Sequence, residues 1–193
     1  MPFAKTWTEE IVAEWLLLKG YSVEIGLPVG ARDVGGRFEA DIVGAKVEAN
    51  TLKIIHAEVG TLAGGQGSVI SLQKKFSNNI CSTIENYFRE IFAFTGKNVN
   101  YKKLYVASFW TKPVINNARK IGINVRPLPD FLCEEVLQTI HDWKNNPPYE
   151  TKSKGKVIML PDAYWLLHLI DFLDRKKMLI CTSRDSNSKA GEI

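Results

Sequence analysis

An α/β fold built on a mixed β-sheet flanked by helices is what this sequence predicts, and three observations predict it. An apolar run at helical spacing opens the chain, three Val- and Ile-rich segments with two-residue alternation follow, and helical and strand-like segments then alternate. The order helix, three strands, helix, strand, helix, strand combines an antiparallel hairpin with a crossover between parallel strands, which calls for a mixed sheet.

The first helix is read from Thr6 to Lys19, where Trp7, Ile11, Val12, Trp15, Leu16 and Leu18 share helical spacing. Thr6 and Glu9 form a capping box, and Gly20 stops the helix. Strands are expected over Tyr21 to Leu27, Arg37 to Ala49 and Leu52 to Val59. The short turn at Ala49, Asn50 and Thr51 makes the second and third an antiparallel hairpin. After the Gly64, Gly65 and Gly67 connection, Val69, Leu72, Phe76, Ile80, Ile84, Tyr87 and Ile91 predict one long amphipathic helix closed by Gly96. Lys103 to Trp110 reads as a strand, Thr111 with Pro113 as a helix start, and Ile123 to Arg126 as a last short strand.

Phe131 to Trp143 is predicted helical, which closes a first domain at residues 1–145. Residues 146–180 follow as a Pro147-Pro148 linker, a possible edge strand at Val157 to Leu160, and an apolar helix from Pro161 to Lys176. That helix is expected either to pack on its own core or to form a dimer interface. Residues 181–193 are small and polar and are expected to form a mobile tail.

Composition narrows the function classes. The chain has 193 residues, 25 Lys+Arg against 21 Asp+Glu, and 45% hydrophobic residues, which excludes collagen-like and disordered classes. A net charge of +4 permits a polyanionic partner without demanding one. Cys81, Cys133 and Cys181 are odd in number and form no CxxC, so neither a disulfide framework nor a zinc ribbon is expected, and the reducing cytoplasm is the expected location. No segment reads as a signal peptide or membrane span, so no membrane partner is expected. GGQG lacks the Lys-Ser/Thr ending of a P-loop, so no nucleotide cofactor is expected.

The chemistry lies in Glu39-Ala40-Asp41-Ile42-Val43-Gly44 and His56-Ala57-Glu58-Val59-Gly60. Alternation puts Glu39, Asp41 and Val43 on one face of their strand and Ile54, His56 and Glu58 on one face of the next, so Asp41 and Glu58 can converge. Two such acids, flanked by apolar residues, make a hard oxygen site suited to Mg²⁺ or Mn²⁺. His56 shares the face of Glu58, but a lone strand histidine reads as a structural residue. Lys102, Lys103, Lys152, Lys154 and Lys156, with Arg32 and Arg37 in the loop before the acidic strand, are candidate phosphate contacts that a solvated face explains equally well.

Over roughly Thr6 to Leu128 this arrangement resembles the PD-(D/E)XK nuclease superfamily, the restriction-endonuclease-like fold shared with Holliday-junction resolvases. The resemblance implies an αβββαβ core with Asp41 as the second-strand acid, Glu58 as the third-strand acid and Glu9 as a supporting acid on the first helix. Strand Leu104 to Trp110, the helix ending at Lys120, and Gly122-Ile123-Asn124-Val125 are similar to the family's closing elements. One departure stands out: where the family carries lysine two residues after the third-strand acid, this chain has Gly60.

Some members of the superfamily recruit that lysine from the following helix, which here carries Gln73, Lys74 and Lys75. On a helical wheel centred on Leu72, Phe76 and Ile80, Gln73 lies nearest the packed face, Lys75 on its border and Lys74 outward. Lys75 is therefore expected as the relocated lysine, with Gln73 as a hydrogen-bonding partner and Lys74 as the alternative. The resemblance implies metal-assisted phosphodiester hydrolysis, with Asp41, Glu58 and the carbonyl of Val59 holding the metal, DNA as partner and a homodimer addressing two strands. The competing expectation is a nucleic-acid-binding or assembly protein that kept this fold without catalysis.

Overall fold

The computed structural model describes residues 4–30, 38–148, 158–179 and Cys181. Helix α1 (Trp7–Leu18) leads into strands β1 (Ser22–Pro28), β2 (Glu39–Glu48) and β3 (Thr51–Leu62). Helices α2 (Gln66–Lys75) and α3 (Asn78–Ile91) precede β4 (Val99–Trp110), followed by α4 (Lys112–Lys120) and β5 (Asn124–Pro127). The chain continues through α5 (Leu128–Phe131), a π-helical turn over Leu132–Val136, α6 (Leu137–Asn145) and α7 (Trp165–Arg175). Five strands in the order β1-β2-β3-β4-β5 form one mixed sheet, so the α/β expectation holds. β1, β2 and β3 pair antiparallel; β3, β4 and β5 pair parallel.

The hairpin follows from its turn. Glu48 pairs with Thr51, and the two residues between them, Ala49 (φ 48°) and Asn50 (φ 56°), both have positive φ, the conformation that matches the twist of a two-residue hairpin. α1 covers one face of the sheet together with α6 and α7; Leu16, Ile42, Ala57, Val106, Phe131 and Ile140 pack there with α7's Leu167 and Ile170. Close approach is possible because Gly44 lies under Leu16: a Cβ at that glycine would sit 3.0 Å from a Leu16 methyl carbon. The opposite face is covered by α3, through Ile80, Ile84 and Phe88, and by α2 and α4, through Leu72, Phe76 and Val114.

Four expectations need correction. The single helix predicted from Val69 to Gly96 is two helices, because the chain breaks at Phe76 and Ser77; Ser77 is extended (ψ 154°) and caps α3. Ser77-Asn78-Asn79 disfavours a helix interior and favours a start, while the apolar spacing runs through the break and hides it. Residues 158–160 form no strand, so β5 is the last member of the described sheet; Val157 lies outside the described residues. The helix predicted from Pro161 starts only at Trp165, where the buried carboxylate of Glu14 accepts from the amides of Leu166 (3.3 Å) and Leu167 (2.9 Å).

The fourth correction concerns the cysteines. Cys133 and Cys181, 48 residues apart, are joined in a disulfide, leaving only Cys81 free. This removes the ground on which the cytoplasmic expectation rested. The bond links the π-helical turn to the chain beyond α7. Leu166, Leu167 and Ile170 of α7 are buried, whereas Trp165, Leu169 and Phe172 are exposed, so the helix packs on its own core and leaves an outer apolar stripe. Among the described residues no helix is long and apolar enough to cross a membrane. The expected tail from Thr182 to Ile193, Arg32, Arg37, and the three lysines at 152, 154 and 156 lie outside the described residues.

Reducing the disulfide, or Cys133→Ser, is expected to lower stability by about 2–4 kcal/mol. Urea unfolding with and without reductant checks this; equal midpoints in the two conditions would count against the cross-link.

Candidate active site at the parting of two strands

The ladder between β2 and β3 starts at Ile42 opposite Ala57 and runs towards the hairpin turn. On the other side of that pair β2 stays with β1, through Ala40 and Leu27, while β3 stays with β4, through Glu58 and Tyr105. The two strands therefore part at Asp41 and Glu58. Side chains take over from the missing backbone pairs: the Asp41 amide donates to Oε1 of Glu58 (3.4 Å), and the Val59 amide donates to Oδ2 of Asp41 (3.1 Å). In an extended strand the carbonyl of a residue points to the same edge as its amide, so Val59 turns its carbonyl towards this gap as well.

Lys75, the last residue of α2, reaches into the gap. Its Nζ lies 3.4 Å from Oδ2 of Asp41 and bonds Oε2 of Glu58. Glu58 is 1% exposed and Asp41 20%. Burial raises the Asp41 carboxyl, the Glu58 charge raises it further, and the Val59 amide and Lys75 only partly oppose them, so it stands at about 6. Glu58 goes the other way: burial pushes its carboxyl up, but the His56 hydrogen bond and the Lys75 charge outweigh that and leave it below the ordinary range. Burial pulls the Lys75 ammonium down, and the two carboxylates more than compensate, so it stays charged.

His56 turns out to support this group. It is fully buried, and its Nε2 lies 2.9 Å from Oε1 of Glu58 while its Nδ1 lies 3.1 Å from the Tyr101 hydroxyl. Burial holds the Tyr101 hydroxyl far above its usual titration range, so it stays protonated beside Nδ1. Burial pulls the His56 ring down, but its hydrogen bonds with Cys81 and Glu58 outweigh that and raise it; the ionised Glu58 can only accept, so Nε2 carries a proton that points at it. The ring packs on Phe76, centroid to centroid 4.6 Å, and Lys103 donates from Nζ to the Phe76 carbonyl at 3.0 Å. Lys103 therefore caps the end of α2 next to Lys75, a different duty from the phosphate contact weighed for it.

Gly60 explains why no lysine follows Glu58 along the strand. It has φ +154°, the β3–β4 register shifts between it and Thr61, and a Cβ there would lie 2.8 Å from the Tyr105 hydroxyl. That hydroxyl is pushed up to about 12 by burial and by the charges of Asp41 and Glu58. Nothing in the sequence points to Tyr101 or Tyr105, and it offers Lys103 only as a candidate phosphate contact. Their alternation along β4 was visible, but not which of its faces meets β3's acids.

Glu9 and Gln73 do not join the group. Glu9 is buried, and its Oε2 accepts from the Lys5 amide (2.7 Å) while its own amide donates to Thr6 Oγ1 (3.2 Å); the capping box is real but reaches back one residue further. Gln73 is exposed, as is Lys74. Ending α2 at Lys75 removes Ile80 from the wheel and turns the buried side towards Lys75 and away from Gln73. Among the described residues no three His, Cys, Asp or Glu side chains gather to hold a metal. The oxygens offered at the gap are those of Asp41, Glu58 and the Val59 carbonyl.

No match was found among protein-family models, curated proteins or solved structures.

The raised Asp41 carboxyl fixes a sign. The folded state binds a proton more tightly than the unfolded chain, so Asp41 adds stability below about pH 4 and withdraws it as pH rises through 6. Asp41→Asn is expected to be about 1–2 kcal/mol more stable than the parent at pH 8, with the gain vanishing near pH 4. Thermal melts at the two pH values test this; an equal shift at both would mean the carboxylate is not the source.

Proposed function

We propose that the protein is a metal-dependent DNA endonuclease of the PD-(D/E)XK type. The observation that carries this reading is the meeting of Asp41, Glu58 and Lys75 where β2 and β3 part, with the lysine supplied by the helix after β3. A hard divalent cation suits the donors present. Burial first, and then the Glu58 charge, lift Asp41 to about 6, and the two carboxylates share the gap with a main-chain carbonyl. Two carboxylates completed by water and phosphate oxygens are a usual Mg²⁺ set. Asp41, Glu58 and the Val59 carbonyl would hold it. Bound there, Mg²⁺ or Mn²⁺ supplies Lewis-acid polarisation of the phosphodiester and a water of lowered pKa.

The chain's own residues do the rest. His56 fixes the Glu58 carboxylate from below and keeps its second oxygen turned to the gap. Lys75, whose ammonium already reaches both acids, would orient the attacking water or offset negative charge growing on a phosphate oxygen at the gap. Cutting both strands of a duplex needs two such sites, so the reading includes a homodimer. The competing reading, a binding protein without catalysis, drew on the missing cation after Glu58; Lys75 offers that cation from another element.

Purified protein incubated with supercoiled, linear and branched DNA is expected to cut in Mg²⁺ or Mn²⁺ and not in EDTA. Asp41→Asn and Glu58→Gln should abolish cutting, and Lys75→Ala should slow it about 10²–10³-fold while leaving DNA affinity nearly unchanged. Binding without cutting in every metal would overturn the enzyme reading. Adding Gly60→Lys to Lys75→Ala should not restore cutting, because the Tyr105 hydroxyl occupies the space of the new Cβ; recovery to parental rates would show that β3 can carry the lysine after all.

A further inference from the structure

On the other side of the sheet, away from Asp41 and Glu58, lies a cavity of about 450 Å³ between the end of α1, β3 to β5 and the π-helical turn. Side chains alternate along β4, so Lys102 and Leu104 face this side while Tyr101, Lys103 and Tyr105 face the candidate site. The walls include Trp15, Lys19, Tyr21, Lys102, Asn124 and Glu135. The volume is in the range of small-molecule pockets. A smaller recess of about 110 Å³ shares Tyr21 and Lys102 with it.

The charges in this cavity are unbalanced. Lys19 lies over the Trp15 ring, 5.1 Å from its centroid, and Lys102 makes no ion pair among the described residues. Among the described residues the one acid in the wall, Glu135, is already engaged by Arg126, whose Nε lies 3.1 Å away. Lys46 donates to the Lys19 carbonyl (3.1 Å) and lies over the Tyr21 ring, but its own charge is paired with Glu48 at 3.7 Å, so the excess in the cavity rests on Lys19 and Lys102. Burial pulls the Lys19 ammonium below its usual range, and the charges of Lys46 and Lys102 pull the same way against Glu135. Self-repulsion of this kind at a concave surface is relieved by a bound anion. Trp15, Tyr21 and Leu104 offer apolar area beside the cations.

From these observations we infer that the cavity binds an organic phosphate of about mononucleotide size, with the phosphate between Lys19 and Lys102 and the organic part against Tyr21 and Leu104. A dianionic phosphate suits two ammonium point charges and a single, already paired carboxylate better than a carboxylate ligand does. The concave walls favour a small molecule over a duplex backbone. The cavity also borders Tyr101 and Lys103, but their side chains are engaged with His56 and the Phe76 carbonyl, and the proposal uses neither, so it stands apart from the nuclease reading.

Titration calorimetry on the full chain in EDTA, with adenosine 5′-monophosphate, adenosine and a twelve-nucleotide oligothymidylate as probes, tests this. The monophosphate is expected to bind one per chain and at least about tenfold more tightly than adenosine, as two charge-assisted contacts require. Lys19→Glu with Lys102→Glu should remove that binding, and Lys19→Gln with Lys102→Gln should weaken it, with circular dichroism showing both variants folded. Absence of monophosphate binding, equal binding of adenosine, or affinity unchanged in the folded double variants would overturn the inference. So would lysine-dependent binding of the oligonucleotide alone, which would make the cavity part of a nucleic-acid track.

Discussion

Asp41 and Glu58 bring two negative charges to one point of a sheet, and the Lys75 ammonium is the group that makes their meeting tolerable. Removing one partner of a fully buried ion pair costs about 3–5 kcal/mol. Here Lys75 is 29% exposed, so solvent screens part of that. The remainder still acts where Glu58 has almost no access to water. Glu58 relies on both His56 and Lys75 for its charge, whereas the Asp41 carboxyl is raised, first by its burial and then by the charge of Glu58. A site strained in this way favours any further positive charge that reaches the gap, a metal ion or the developing charge complement of a reaction.

The surrounding fold reads as the support for that one cluster. The ladder between β2 and β3 stops one pair short of the acids, which frees the Asp41 amide to bond the Glu58 carboxylate and the Val59 amide to bond the Asp41 carboxylate. Behind Glu58, the chain from carboxylate to His56 to Tyr101 ties β3 to its parallel neighbour β4, so the ring orientation is set by a strand that carries none of the acids. In front, Phe76 and the Lys103 bond to its carbonyl fix where α2 ends. Position, charge state and orientation of three side chains thus depend on four different elements, β2, β3, β4 and α2.

The parts legible in the sequence were the local ones. Two-residue alternation on a hairpin with a short turn was enough to put Asp41 and Glu58 on one face, because both strands and their turn lie within about two dozen residues of chain and register follows from the turn. Helical spacing put Lys75 at the border of a packed side. It could not place the break after Lys75, since Ile80 continues the spacing in α3 and Ser77-Asn78-Asn79 is the sole local sign of an interruption. The Glu58–His56–Tyr101 chain depends on a parallel register set across two intervening helices, which no local pattern encodes. The Cys133–Cys181 bond and the Glu14 cap on α7 likewise depend on where the last helix docks, so an odd cysteine count misled.

The same distinction bears on why the cation comes from a helix. Beside Glu58 the β3 backbone is irregular: the register shifts after Gly60, and the Tyr105 hydroxyl fills the volume of a side chain there while donating to the Thr61 carbonyl at 3.4 Å. A lysine at that position would have its placement fixed by the strand itself. Lys75 is placed only by tertiary packing, through Leu72 and Phe76 in the core and the Lys103 bond at the helix end. Movement of α2 relative to the sheet therefore moves the cation relative to the acids, which a strand-borne lysine could not do. The half-exposed environment of α2, with Ile70 at its outer surface, gives that helix fewer buried anchors than α3, whose Ile80, Ile84 and Phe88 are all in the core. Charge balance at Asp41 and Glu58 is thus coupled to the docking of a weakly anchored helix, and whatever steadies that helix also sets how firmly the acids hold their positive partner.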